Sequence, residues 1–150
     1  MRALQIMLGA VAATLSMSAG ASDSKLAESE KLALYRAHAK PPVESFHYFN
    51  SLNSWTSLGD SAVAIWTRPS EAYLLEVYGP CPDLDFAQAI VLTNQFGRVY
   101  TRFDKVIPRM VAGGAQPIPC HIKEIRPLDV KALKAAEQEV REQRKQAAGT

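Results

Sequence analysis

Three histidines, His38, His47 and His121, are the side chains in this sequence best suited to moving protons near neutral pH. A metal site would need at least two of them to converge with carboxylates or thiolates. A general base would need a nucleophile and an orienting partner beside it. His38 lies in a polar stretch just before Pro41-Pro42 and is expected in solvent. His47 alternates with aromatic residues and reads as a packed or hydrogen-bonded histidine. His121 follows Cys120 on the opposite strand parity and reads as exposed. Asp83 and Asp85 form a D-x-D pair whose oxygens would suit calcium, but no glycine turn or distal glutamate completes the loop. Asp83 capping a helical turn is the simpler reading, and Asp60 and Asp104 read as turn residues. The chain has no G-x-G-x-x-G, no phosphate-binding G-x-x-x-x-G-K, no G-x-S-x-G and no H-E-x-x-H. No residue is therefore assigned a catalytic, metal-ligating or cofactor-binding role, and no cofactor is expected.

Arg98, Tyr100 and Arg102 are the exception with a functional reading. On a strand they share one face, and arginines interleaved with an aromatic ring make a possible ligand face. Trp55, Trp66, Tyr73, Tyr78 and Phe103 lie in the same half of the chain. The competing reading puts both tryptophans in the core and leaves the arginine face merely solvated. Formal net charge is only +2, which argues against a nucleic-acid-binding surface with its clustered excess of positive charge.

The start of the chain fixes the expected compartment. Arg2, an apolar run from Ala3 to Leu15, and Ala19-Gly20-Ala21 have the form of a secretory leader with its cleavage site. Residues 1–21 are read as that leader, which leaves an exported, periplasmic or secreted protein with no integral membrane segment. In an oxidising compartment the only two cysteines, Cys81 and Cys120, are expected to form a disulfide. Closing that loop is worth roughly 4 kcal/mol in the chain-entropy picture.

These residues must be positioned by a chain that reads as mainly β. Ser22–Lys40 is helix-favouring, with Asp23 or Ser24 as cap and Pro41-Pro42 as stop. Glu44–Asn50 is an aromatic strand. Ser61–Thr67 has apolar residues on both parities and reads as a strand buried on both sides. The turn Arg68–Glu71 then leads to a strand at Ala72–Tyr78, with Tyr73, Leu75 and Val77 on one face. A helical turn at Asp83–Ala89 with Leu84 and Ala87 inward precedes a short strand, Ile90–Thr93. Arg98–Phe103 follows as a strand with Val99, Thr101 and Phe103 turned inward. Pro108–Pro119, with Gly113-Gly114, is expected to be a long loop. Cys120–Arg126 is the last strand, bulged where its alternation slips between Ile122 and Ile125. From Asp129 a helix follows with a thin stripe of Leu133, Ala136 and Val140, and with Glu137 placed to pair with Arg141.

The order Trp55-x-x-Leu58, Trp66-Thr67, Tyr73-Leu74-Leu75, Cys81-x-x-Leu84 and Cys120-x-Ile122-x-x-Ile125 resembles a domain-of-unknown-function family of small exported proteobacterial, xanthomonad-type proteins. The resemblance runs from Phe46 to Leu128. It implies a leader, a disulfide and a small β-rich body, and brings no catalytic residue with it. The expected architecture is a five- or six-stranded antiparallel bent sheet or open small barrel, with a short N-terminal helix and a C-terminal helix. Its divisions are a helical arm at 22–42, the β-rich domain at 43–128 and a tail at 129–150. The expected function is a non-catalytic binding or accessory module for an envelope protein or small ligand. An envelope hydrolase with a dispersed site, or an inhibitor or immunity-type protein, are the alternatives.

Overall fold

The computed structural model describes residues 20–111 and 116–149. Arg2, the apolar run and Ala19 of the expected leader lie outside the described residues, as do Gly113 and Gly114 of the expected loop. Two helices, α1 (Gly20–Ala37) and α2 (Val130–Ala148), enclose eight strands in chain order. These are β1 (Ser45–His47), β2 (Ser54–Ser57), β3 (Ala62–Arg68), β4 (Glu71–Val77), β5 (Ala89–Leu92), β6 (Arg98–Tyr100), β7 (Lys105–Arg109) and β8 (Cys120–Leu128). Six of them form one antiparallel sheet in the order β2-β3-β4-β8-β7-β5, and β1 pairs with β6 as a separate two-stranded ribbon. The chain is mainly β, and the sheet stays open and does not close into a barrel.

The sheet is buried on both faces, and the sequence of β3 shows why. Val63 and Ile65 point to one side, where Leu75, Val77, Ile122, Ile125, Val106 and Leu92 meet Phe46 and Val99 from the ribbon. Ala62, Ala64 and Trp66 point to the other side, where Leu74 and Ala72 meet Leu32 and Tyr35 of α1 and Leu133 of α2. The small alanines of β3 let the helices approach the sheet, so apolar alternation continues through both parities. Trp66 is only partly buried, and its ring meets Tyr35 edge-on at 6.3 Å. On the ribbon side Phe46 stacks on Tyr73 at 4.4 Å.

Cys81 and Cys120 are bonded, with Cα atoms 6.0 Å apart. The bond ties the loop after β4 to the start of β8, beside the fully buried Leu84. The bulge in β8 lies where expected: Glu76 pairs with Glu124 and Val77 with Ile122, so Lys123 is the extra residue.

Several elements differ from the sequence expectation. The β3–β4 turn is tighter than four residues, since Arg68 pairs with Glu71 and a bulge after Trp66 absorbs the twist. The first helix begins at Gly20, so Asp23 and Ser24 lie inside it and do not stand at its N-cap position. It stops at Ala37 instead of Lys40. The chain then bridges to β8, where the Lys40 and Val43 amides donate to Pro127 and Ile125 carbonyls at 2.8 Å each. Residues 39–43 thereby cover the part of β8 that β7 leaves unpaired. The strands β2 and β7 were not expected at all. The aromatic strand is trimmed to Ser45–His47. The second helix begins where expected, and Asp129 caps it, its side chain accepting the Ala132 amide at 3.1 Å.

Candidate functional site

The ribbon carries the expected ligand face. Ser45 lies opposite Tyr100 and His47 opposite Arg98, so all four side chains share the outer face while Phe46 and Val99 are buried beneath. Arg98, however, is engaged within the protein. Its Nη2 donates to Ser45 Oγ at 2.8 Å and its Nη1 to His47 Nε2 at 2.7 Å. Accepting that bond requires His47 Nε2 to be unprotonated. His47 is therefore exposed but hydrogen-bonded, and its ring lies parallel to Phe49 at 6.3 Å.

Beyond Tyr100 the strand ends, which the sequence reading did not foresee. Asp104 is wholly buried and pulls the chain into a turn. Its Oδ2 accepts the Tyr100 amide and its Oδ1 the Thr93 hydroxyl, both at 2.7 Å. The Thr93 hydroxyl oxygen in turn accepts the Lys105 amide at 2.9 Å. Asp104 is thus a turn residue, but one whose carboxylate locks β5, β6 and β7 together. The turn is held against β8 by the Arg102 amide on the Ile122 carbonyl (2.8 Å) and Thr101 Oγ1 on the Lys123 carbonyl (2.9 Å). Arg102 adopts a φ of 69°. Phe103, expected inward, is turned out and 76% exposed.

That turn forms one wall of a concavity of about 370 Å³, facing Val43 and Glu44 on one side and Lys123 and Glu124 on the other. Tyr100 and Arg102 both line it, joined by Phe103 and Lys123. Of the three expected residues the structure therefore brings Tyr100 and Arg102 together and directs Arg98 to the ribbon face. Sequence reading named Phe103 only among the aromatic residues of this half of the chain and did not name Lys123 as a candidate. The signal available for Lys123 was its place at the slip between Ile122 and Ile125, since a bulged residue is re-aimed out of the ladder. Glu124 is paired with Arg126, which removes one of the two acids from competition for the nearby cations.

A larger groove of about 770 Å³ runs between α1 and α2 above β2, lined among others by Leu34, Val140, Lys31, Thr56, Ser57 and Arg141. At its base Tyr35 Oη donates to Glu137 at 2.8 Å, and at its outer end Arg144 approaches Glu30 at 3.7 Å. Glu137, expected to serve Arg141, accepts the Tyr35 hydroxyl. Burial first, and then the Glu137 carboxylate, push the Tyr35 phenol well above its ordinary pKa. Burial likewise raises Tyr48, and burial with the Glu71 carboxylate raises Tyr73. Ser57 Oγ donates to Asp85 Oδ1 at 2.7 Å, tying β2 to the loop that carries Cys81.

The remaining candidates lie apart. His121 is exposed, as read. His38 is half-buried instead of solvated, because its Nδ1 sits 2.9 Å from the Leu34 carbonyl left open by the end of α1. Among the described residues no three His, Cys, Asp or Glu side chains are grouped so that they could hold a metal ion. No helix among them is long and apolar enough to cross a membrane.

Comparison with curated proteins finds no match to this chain, and comparison with solved structures finds none either. A family model does match, over residues 3–144, which extends the resemblance read from Phe46 to Leu128 at both ends. The chain belongs to a family of unknown function, DUF6491.

Proposed function

We propose that this protein is an exported, non-catalytic binding module, and that it takes a small anionic ligand carrying a ring at the concavity beside the β6 turn. In this reading residues 1–21 are a leader, 22–42 an arm, 43–128 the binding domain and 129–150 a tail. The observation that carries it is the company kept by Phe103. An aromatic ring held 76% exposed on a well-anchored turn stands beside Tyr100 and two cations, Arg102 and Lys123. Burying such a ring on a ligand is favourable, and a flanking guanidinium and ammonium select negative charge. A concavity of about 370 Å³ is the size of a small molecule. The disulfide supports export, because such bonds persist in oxidising compartments. The three histidines stand at separate places, on the α1 terminus, the ribbon and the start of β8, and Ser57 Oγ is bonded to Asp85. That dispersal favours binding over a nucleophile–base mechanism.

The test uses phenyl phosphate as a minimal ring-plus-anion probe, with inorganic phosphate and phenol as its two halves. Calorimetric titration should show phenyl phosphate binding more tightly than either half. Combining Arg102→Ala with Lys123→Ala should weaken it at least tenfold, which is about 1.4 kcal/mol. Equal binding by the double variant would overturn the reading.

A further inference from the structure

The two edges of the six-stranded sheet are finished differently. At the β2 edge Ser54, Thr56 and Ser57 are polar, and Lys31 Nζ donates to Thr56 Oγ1 at 3.0 Å. At the β5 edge the run Gln88–Thr93 carries no charge at all. Sheets ordinarily protect an open edge with charge, proline or a covering element. Here Ile90 and Leu92 turn into the core while Val91 faces outward, 39% exposed. Phe86, Met110 and Val111 are exposed near the start of β5, and Phe96 is fully exposed just past its end.

We propose that β5 pairs with β5 of a second copy of this chain, antiparallel across a two-fold axis centred on Val91. Hydrogen-bond parity sets the register. The Thr93 amide donates to the Lys105 carbonyl at 3.0 Å, so Thr93 and, two residues back, Val91 direct their backbone groups to β7. Ile90 and Leu92 therefore direct theirs away from it. The Gln88 amide is already taken by the Arg109 carbonyl at 2.9 Å. The outward ladder available to a second strand is then Ile90 with Leu92 of the other copy, and the reverse. Counting along that register sets Val91 opposite Val91 in a non-hydrogen-bonded pair. Antiparallel pairing brings the end of the strand near Phe86, Met110 and Val111 beside the Phe96 end of the second copy, so an apolar patch meets an exposed ring, which is the self-complementarity an isologous interface requires. Because Gln88–Thr93 is neutral, like meets like with no charge repulsion. A charged peptide would gain nothing from this edge that a second copy does not.

The experiment is sedimentation of the full, oxidised chain over a dilution series, with Val91→Lys, Val91→Glu and Ser54→Lys alongside. The wild type and Ser54→Lys should sediment at twice the chain mass. Val91→Lys and Val91→Glu should each associate at least tenfold more weakly, while near-UV circular dichroism stays native, since Val91 is a surface side chain. Mixing the two charged variants should restore the dimer, because Lys and Glu then meet at the two-fold axis. A monomeric wild type would overturn the proposal. So would a dimer that survives both charged variants, one broken by Ser54→Lys alone, or a mixture that stays monomeric. A wild-type monomer that instead takes up an extended apolar peptide would make β5 a peptide-receiving edge and equally overturn it.

Discussion

Replacing Asp104 should be among the most damaging single changes outside the apolar core. Its side chain is fully buried and accepts two short hydrogen bonds, from the Thr93 hydroxyl and the Tyr100 amide, at 2.7 Å each. Hydrogen bonds to a charged group contribute about 1.5–3 kcal/mol apiece, so Asp104→Ala should cost about 3–6 kcal/mol. That loss includes the Tyr100 amide, which is left buried without an acceptor. A domain of this size has about 5–15 kcal/mol in all, so the variant should be marginal. Asp104→Asn keeps the shape and one acceptor. If its carbonyl serves Tyr100, its amide can donate to Thr93 Oγ1, and only the Thr93 hydroxyl proton loses its partner. That variant should therefore cost about 1–3 kcal/mol. Urea unfolding of oxidised protein, followed by the fluorescence of Trp55 and Trp66, measures both. If Asp104→Ala lies within about 0.5 kcal/mol of wild type, the clamp is not what holds the β6 turn. An Asp104→Asn variant less stable than Asp104→Ala would also refute the bonding scheme.

Other expectations concern the tail, alkaline pH and export. Every described residue of α2 beyond Val140 is exposed, and Arg144 approaches Glu30 of α1 at 3.7 Å with both side chains facing solvent. Deleting 141–150 should lower Tm by less than about 4 °C, since such pairs contribute at most about 1 kcal/mol; a larger drop would mean the tail packs against the body. Tyr35 is held neutral in the folded state, so its contribution is full below pH 10 and is lost as pH rises above the ordinary phenol value of 10.0. Stability should fall from about pH 10 upward, and Tyr35→Phe should flatten part of that fall while costing about 0.5–1.5 kcal/mol at pH 7. An unchanged alkaline slope would remove Tyr35 from the account. Mass spectrometry of chain exported by a bacterial host should find it beginning at Ser22 with Cys81 and Cys120 linked; an intact Met1 or two free thiols would contradict export into an oxidising compartment.

The elements legible in the sequence are those whose residues report on both faces at once. Alternation through Ala62–Trp66 exposed a doubly buried strand, and the slip between Ile122 and Ile125 marked the β8 bulge. The elements that stayed hidden lack that report. β2 is Ser-Trp-Thr-Ser, polar enough to pass for loop, and is a strand because β3 supplies the ladder beside it. β7 contains Pro108, which argues against a strand until its partners are known. Pro108 lies past the last β7–β8 pair, Lys105 with His121 and Val106 with Cys120, so no ladder bond is lost there. At the site the misreading had one cause. Treating Arg98–Phe103 as a continuous strand placed Arg98, Tyr100 and Arg102 in one row and Phe103 inside. A buried aspartate four residues after Tyr100 ends the strand, and nothing local distinguishes a buried Asp104 from a solvated one. Which aromatic and cationic side chains gather at the concavity depends on that turn.

The central claim, that ligand meets the protein at the β6 turn, is tested most directly by amide chemical shifts. Titrating isotopically labelled protein with phenyl phosphate should move the signals of Tyr100–Phe103 and of Lys123, across the bulge of β8, and leave those of the α1–α2 groove in place. Shifts confined to Lys31, Thr56, Ser57 and Arg141, or no shifts at any residue of the turn, would contradict it.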